Sequence, residues 1–131
     1  MNEMIYSQEF SVMNMTAMIE RIENHRDSEN IGMILSHIGI VRGVSRDGQK
    51  VSMIEMTVDH DRLNEIVLSH KQMPGIVEIL VETSDRATLF PGDRIMLVVV
   101  AGDIRENVLG TMTSIINAIK QDVTHKTEHY A

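Results

Sequence analysis

The alternation of apolar and polar residues divides the chain into helix-length and strand-length segments. From Asn14 to about His25, Met15, Met18, Ile19 and Ile22 recur on one face of a period of about 3.6 residues, and Asn14 suits the cap of the helix they predict. Ile31 to Val41 is mostly apolar and rich in branched side chains, which predicts a buried strand. Gly43 to Gln49 reads as a turn centred on Asp47-Gly48, and Val51 to Val58 as a second strand, so a hairpin is expected here. Asp59 or Asp61 is placed to cap a helix with Leu63, Ile66, Val67 and His70 on its apolar face, and Pro74-Gly75 stops it. Ile76 to Thr83 alternates, with Val77, Ile79 and Val81 on one face and Glu78 and Glu82 on the other. In Leu89-Phe90-Pro91-Gly92-Asp93 the Pro-Gly pair marks a type II turn. Arg94 to Ala101 predicts a fourth, deeply buried strand, and Gly102 to Glu106 a loop. Val108, Leu109, Met112, Ile115, Ile116 and Ile119 then mark a long amphipathic helix.

The two ends carry weaker patterns. Residues 1–10 read as a leading strand or loose arm, and residues 122–131, rich in His, Lys and Glu, as a polar, solvated C-terminal tail. The whole order predicts one α/β domain over residues 1–131, a two-layer α/β sandwich with a mostly antiparallel sheet. A length of 131 residues supports one substantial core.

Composition narrows the chemistry. The absence of cysteine excludes thiolate catalysis, disulfides and cysteine-ligated metals. A net charge of -7 and an aromatic content of 3% argue against a nucleic-acid-binding face. The apolar run Ile95–Ala101 is too short to span a membrane, and the first residues lack a secretory signal, so a soluble, cytoplasmic domain is expected. The eleven methionines suit either an irregular core or an adaptable partner surface.

Few residues stand out as chemistry. His125 and His129 would share a face if that segment were helical, but no third ligand accompanies them, and no metal site is expected. Four cations lie near element ends, where a rigid scaffold aims side chains: Arg42 after the first buried strand, Arg105 ahead of the last helix, Lys120 at its end and Lys126 in the tail. In an acidic chain these are the candidates for a local anion pocket. Alone, each reads first as a solvated surface charge, and Lys120 also complements its helix C-terminus.

From Ser11 to Tyr130 the chain resembles the large, catalytic subunit of molybdopterin synthase. The likeness rests on Gly32-Met33-Ile34-Leu35 leading into Gly39-Ile40-Val41-Arg42, on Leu89-Phe90-Pro91-Gly92-Asp93 ahead of an apolar strand, on Arg105, on Ile119-Lys120 and on His125-Lys126-Thr127-Glu128. The order and spacing of these motifs are more specific than any one of them. There are departures. Ile104 stands where that family has histidine, Asp85-Arg86-Ala87-Thr88 replaces a His-Arg-x-Gly segment, and the two lysines are six rather than about seven residues apart.

The resemblance implies an α/β-hammerhead-like fold and a sulfurtransferase without a cofactor. Sulfur would arrive as a thiocarboxylate on the Gly-Gly tail of a small ubiquitin-like subunit and pass to cyclic pyranopterin monophosphate, building the dithiolene of molybdopterin. Both reactants are anionic, so Arg and Lys must line the site. By the same resemblance Lys120 and Lys126 are catalytic, Arg42 and Arg105 bind substrate, and the chain forms a homodimer with a small subunit at each end. A lysine in such a site is expected to have a lowered pKa. The departures support an alternative: a diverged, non-catalytic relative that binds a small protein partner or a pterin.

Overall fold

The computed structural model describes residues 14–131, so the expectation for residues 1–10 lies outside the described residues. Three helices and six strands follow in the order α1 (Met15–Glu23), β1 (Met33–Ile40), β2 (Val51–Val58), α2 (His60–Lys71), β3 (Ile76–Thr83), β4 (Thr88–Leu89), β5 (Arg94–Gly102), α3 (Arg105–Asp122) and β6 (Thr124–Tyr130). The polar break after α1 contains one short 3-10 turn, Ser28–Asn30. The strands form two antiparallel three-stranded sheets, ordered β1-β5-β3 and β4-β2-β6, and the α/β sandwich expected from the pattern is the architecture found.

The sequence places β5 at the centre. Its run from Leu97 to Ala101 is fully buried, flanked by β1 through Leu35 opposite Val100 and by β3 through Ile79 opposite the same residue. A strand covered on both faces has no reason to alternate, which is why it reads as continuous apolar sequence. Burying each leucine or valine side chain of that run contributes about 1.5–3 kcal/mol. Helix α3 packs on β1 and β5 and reaches β6, α2 packs on β3 and α3, and α1 on β5 through Met18 and Ile22.

The caps are those expected. The Ala17 N–H donates to the Asn14 side chain at 3.0 Å, and the Arg62 N–H to Asp59 Oδ1 at 3.0 Å. Satisfying a free N–H at a helix start stabilises by about 1 kcal/mol. Asp59 rather than Asp61 is thus the cap. The Pro91-Gly92 turn closes with the Asp93 N–H on the Phe90 carbonyl at 2.9 Å, and Gly92 holds the required φ of 93°.

Three expectations are corrected. Strands β1 and β2 do not form a hairpin: β1 pairs with β5, and β2 with β4 and β6 in the other sheet. The Asp47-Gly48 turn is real but closes a smaller loop inside the connection. The Ser45 N–H donates to the Gln49 carbonyl at 2.8 Å, and Val44 bridges Lys50. The solvated tail is instead strand β6, paired antiparallel with β2, with Met56 opposite Lys126. Main-chain pairing holds it, with Val123 and Thr124 buried at its start and the Ser52 hydroxyl donating to the His129 carbonyl at 2.9 Å. As a strand, the segment holds His125 and His129 about 13 Å apart, which removes the helical metal pair. Helix α3 also begins at Arg105, so the loop ahead of it is shorter than expected.

The described methionines are a core device. Met18, Met56, Met96 and Met112 are buried, and Met15, Met33, Met53 and Met73 are half-buried. They form no exposed surface among the described residues.

Candidate active site

Strand alternation along β6 sends Lys126, Glu128 and Tyr130 to one side and His125, Thr127 and His129 to the other. The first set forms one wall of an open cleft of about 540 Å³. Arg42, Ser45, Arg46 and Asp47 come from the β1–β2 connection, Lys120 from the last turn of α3, and Ile54 and Ile95 from the strands beneath. That volume suits a small organic ligand. Arg42, Lys120 and Lys126, picked out separately in the sequence, therefore line one cleft.

Arg42 is aimed by its neighbours. The Val41 N–H donates to the Asp93 carbonyl at 2.9 Å, and the Val41 carbonyl accepts from the Gly92 N–H at 2.9 Å. One residue on, the Gly43 carbonyl accepts from the Val51 N–H at 2.9 Å. The Pro-Gly turn thus anchors the backbone on one side of Arg42 and strand β2 on the other. Lys120 and Lys126 are positioned through the junction between α3 and β6, where the Val123 carbonyl accepts from the Asp59 N–H at 2.9 Å.

The cleft is cationic with two bound carboxylates. Arg42, Arg46, Lys120 and Lys126 face Asp47 and Glu128. The Tyr130 hydroxyl donates to Glu128 Oε1 at 2.9 Å, which raises the phenol's pKa, and the Ser45 hydroxyl donates to Asp47. Each carboxylate is thereby held by a neutral donor. Lys126 sits below the usual lysine value. Loss of water around its ammonium lowers it most, the Lys120 charge lowers it further, and Glu128 opposes both. The residue as a whole keeps an exposed flank.

A second cavity of about 190 Å³ shares Ile40, Ile95, Lys120 and Lys126 with the cleft, and His37, Gly39, Met96, Ile116 and Thr124 complete it. Sequence reasoning missed His37, Arg46, Glu128 and Tyr130. The alternation of Lys126, Glu128 and Tyr130 was the available signal for two of them. Arg46 was hidden in a turn, and His37 in an apolar strand.

Arg105 is not in this cleft. It starts α3, fifteen residues before Lys120, and a helix of that length separates them by about 22 Å.

A family model described as MoaE protein matches residues 6–122 of the chain. The match ends ahead of β6, so Lys126 lies beyond it. Among solved structures, molybdopterin synthase from Staphylococcus aureus is similar, with 20% identity and a TM-score of 0.74 over 91% of this chain and 86% of that one. Molybdopterin cofactor biosynthesis protein E from Burkholderia multivorans shares 20% identity, with a TM-score of 0.69 over 91% and 84% of the two chains. A complex of subunits 1 and 2 of the molybdopterin-converting factor from Helicobacter pylori contains a chain with 18% identity and a TM-score of 0.66, over 92% of this chain and 85% of that one. No curated protein sequence matches. At these identities the structural likenesses speak for the fold alone.

Proposed function

The chain belongs to the MoaE family, and from that premise we propose that it is the catalytic subunit of a molybdopterin synthase. In this reading a small ubiquitin-like subunit inserts its Gly-Gly thiocarboxylate into the cleft, and sulfur passes to cyclic pyranopterin monophosphate. The observation that carries the reading is the meeting of Arg42, Lys120 and Lys126 on one cleft. An acidic chain that gathers cations on one concave surface is built to receive anions.

The residue roles follow from charge and position. Lys120 stabilises negative charge developing at the thiocarboxylate carbon. Lys126, with its lowered pKa, gives up a proton more readily than a fully solvated lysine. Arg42 holds the phosphate, and Arg46, on the same wall, assists it. Arg105 serves such a cleft only from a second protomer, so the reading requires the homodimer. It also places the protein in the cytoplasm; no helix among the described residues is long and apolar enough to cross a membrane.

Reconstitution tests this directly. The purified chain, a thiocarboxylated small subunit and the precursor should yield molybdopterin, and Lys120→Ala should lower the rate at least about 100-fold, the scale of one lost charge-stabilising donor. No product from a folded, partner-bound complex defeats the proposal. It would favour the diverged binding protein instead, a reading motivated by Ile104, which is exposed where the resembled family has histidine.

A further inference from the structure

His37 has no role in the reaction as described. It sits in the middle of β1, opposite Val98, and its side chain turns into the smaller cavity beside Gly39. A Cβ at Gly39 would stand 3.6 Å from His37 Nε2, so the ring lies over that glycine. The imidazole is half-buried, and among the described residues it makes no hydrogen bond or ion pair. No buried side-chain nitrogen or oxygen among the described residues lacks a partner, so the unpaired ring nitrogens of His37 are open to water in the cavity.

The groups around it are specific. Lys120 faces the cavity from α3, Lys126 and Thr124 from β6 and its start, and β5 offers only Ile95 and Met96. No carboxylate lines this cavity; Glu128 lines only the larger cleft. Burial lowers the pKa of His37 from the usual 6.5, so the ring is neutral at pH 7. It is then a base beside two ammonium groups, with nothing acidic to neutralise it.

Resting on the reading given under Proposed function, we propose that His37 is the general base that activates the water which cleaves the acyl–sulfur bond. Sulfur leaves the small subunit's terminal carbonyl carbon only when another atom replaces it there. Water can do so. Its O–H bond breaks as the proton passes to a ring nitrogen of His37, and the oxygen bonds to the carbonyl carbon. The C–S bond then breaks, and its electron pair leaves with the sulfur as the thiolate of the pterin. The small subunit is left as a carboxylic acid, which loses its remaining proton to solvent, and the imidazolium loses its own. Lys120 and Lys126, which line the same cavity, stabilise the oxyanion formed on the way.

Single-turnover reactions of the assembled complex test this, with the thiocarboxylated small subunit and the precursor as reactants. Intact mass of the small subunit distinguishes the acyl–sulfur adduct from the released carboxylate. We expect His37→Phe and His37→Asn to bind the small subunit and form the adduct normally, but to release the carboxylate about 10²–10⁴-fold more slowly. The wild-type release rate should fall as the pH drops below 6.5, and the variants should lack that dependence. Free imidazole should restore release in His37→Ala, a rescue that a purely structural role does not predict. Variants that melt like the wild type yet release carboxylate at its rate, with its pH profile, overturn the proposal. A wild-type complex that forms no adduct at all overturns the molybdopterin synthase reading itself.

Discussion

The substitution Gly→Ala should act in opposite directions at two positions of this fold. At Gly32, a Cβ would lie 2.1 Å from the backbone carbonyl oxygen of Asp103, against 3.4 Å or more for an ordinary contact. The obstacle is main chain, so no side-chain rotation relieves it. Backing away would break the bond from the Gly32 N–H to the Gly102 carbonyl, 2.8 Å, which closes the β1–β5 ladder. Overpacking of about 1–3 kcal/mol plus about 1 kcal/mol for that hydrogen bond gives about 2–4 kcal/mol of destabilisation. For a domain of this length each kcal/mol lowers Tm by about 3–4 °C, so Gly32→Ala should melt about 6–16 °C lower. At Gly110, on the exposed side of α3, a Cβ meets nothing within 4 Å. There alanine removes backbone entropy from the unfolded chain and should stabilise by about 0.5–1 kcal/mol. Urea and thermal unfolding of both variants provide the assay. A Gly32→Ala protein as stable as the wild type would refute the packing at the end of β5.

Other outcomes are equally specific. Burial raises the pKa of Glu82 to about 7, from 4.5, with Arg21 opposing the rise and Asp85 adding to it. The folded state therefore holds that proton more tightly than the unfolded one. Its contribution is fully present below pH 4.5 and lost as the pH rises through 7, so Glu82→Gln should stabilise at pH 8 and change little at pH 4, by urea titration. Side-chain NMR should find Lys126 titrating below the usual 10.5, and Lys120→Gln should move it back only part of the way, because desolvation is the larger cause. Asp59→Ala removes the cap of α2 and should cost about 1 kcal/mol; an unchanged urea midpoint would contradict the observed bond to Arg62.

The parts of this fold that were legible in the sequence are those decided locally or by burial. Val51–Val58 and Ile76–Thr83 were read with the boundaries they have, because branched apolar residues between polar turns admit few other structures. Pairing was not legible. The Asp47-Gly48 signal says that the chain reverses there, but not which strands flank the reversal, and the nearer bridge from Val44 to Lys50 won. Strand β6 was hidden for a related reason: Thr124–Tyr130 is held by the β2 main chain, and main-chain partners leave no apolar period. Chain position singled out Arg42, Lys120 and Lys126, and the fold brings these three to one cleft. The same position leaves Arg105 away from that cleft, at a distance set by the length of α3. His37 lacks any sequence signal, since a lone histidine in an apolar strand is an ordinary core residue until its cavity is known.

The short join between α3 and β6 imposes a rule of parity on this part of the chain. Val123 alone separates the helix carrying Lys120 from the strand carrying Lys126. Adding or deleting one residue ahead of a paired strand exchanges its two sides, which here would turn Lys126 out of the cleft and bring a neighbour from the His125 side in. A single-residue indel is tolerable only if the join itself absorbs it. Length variation between the two lysines is thus constrained by sidedness before it is constrained by distance.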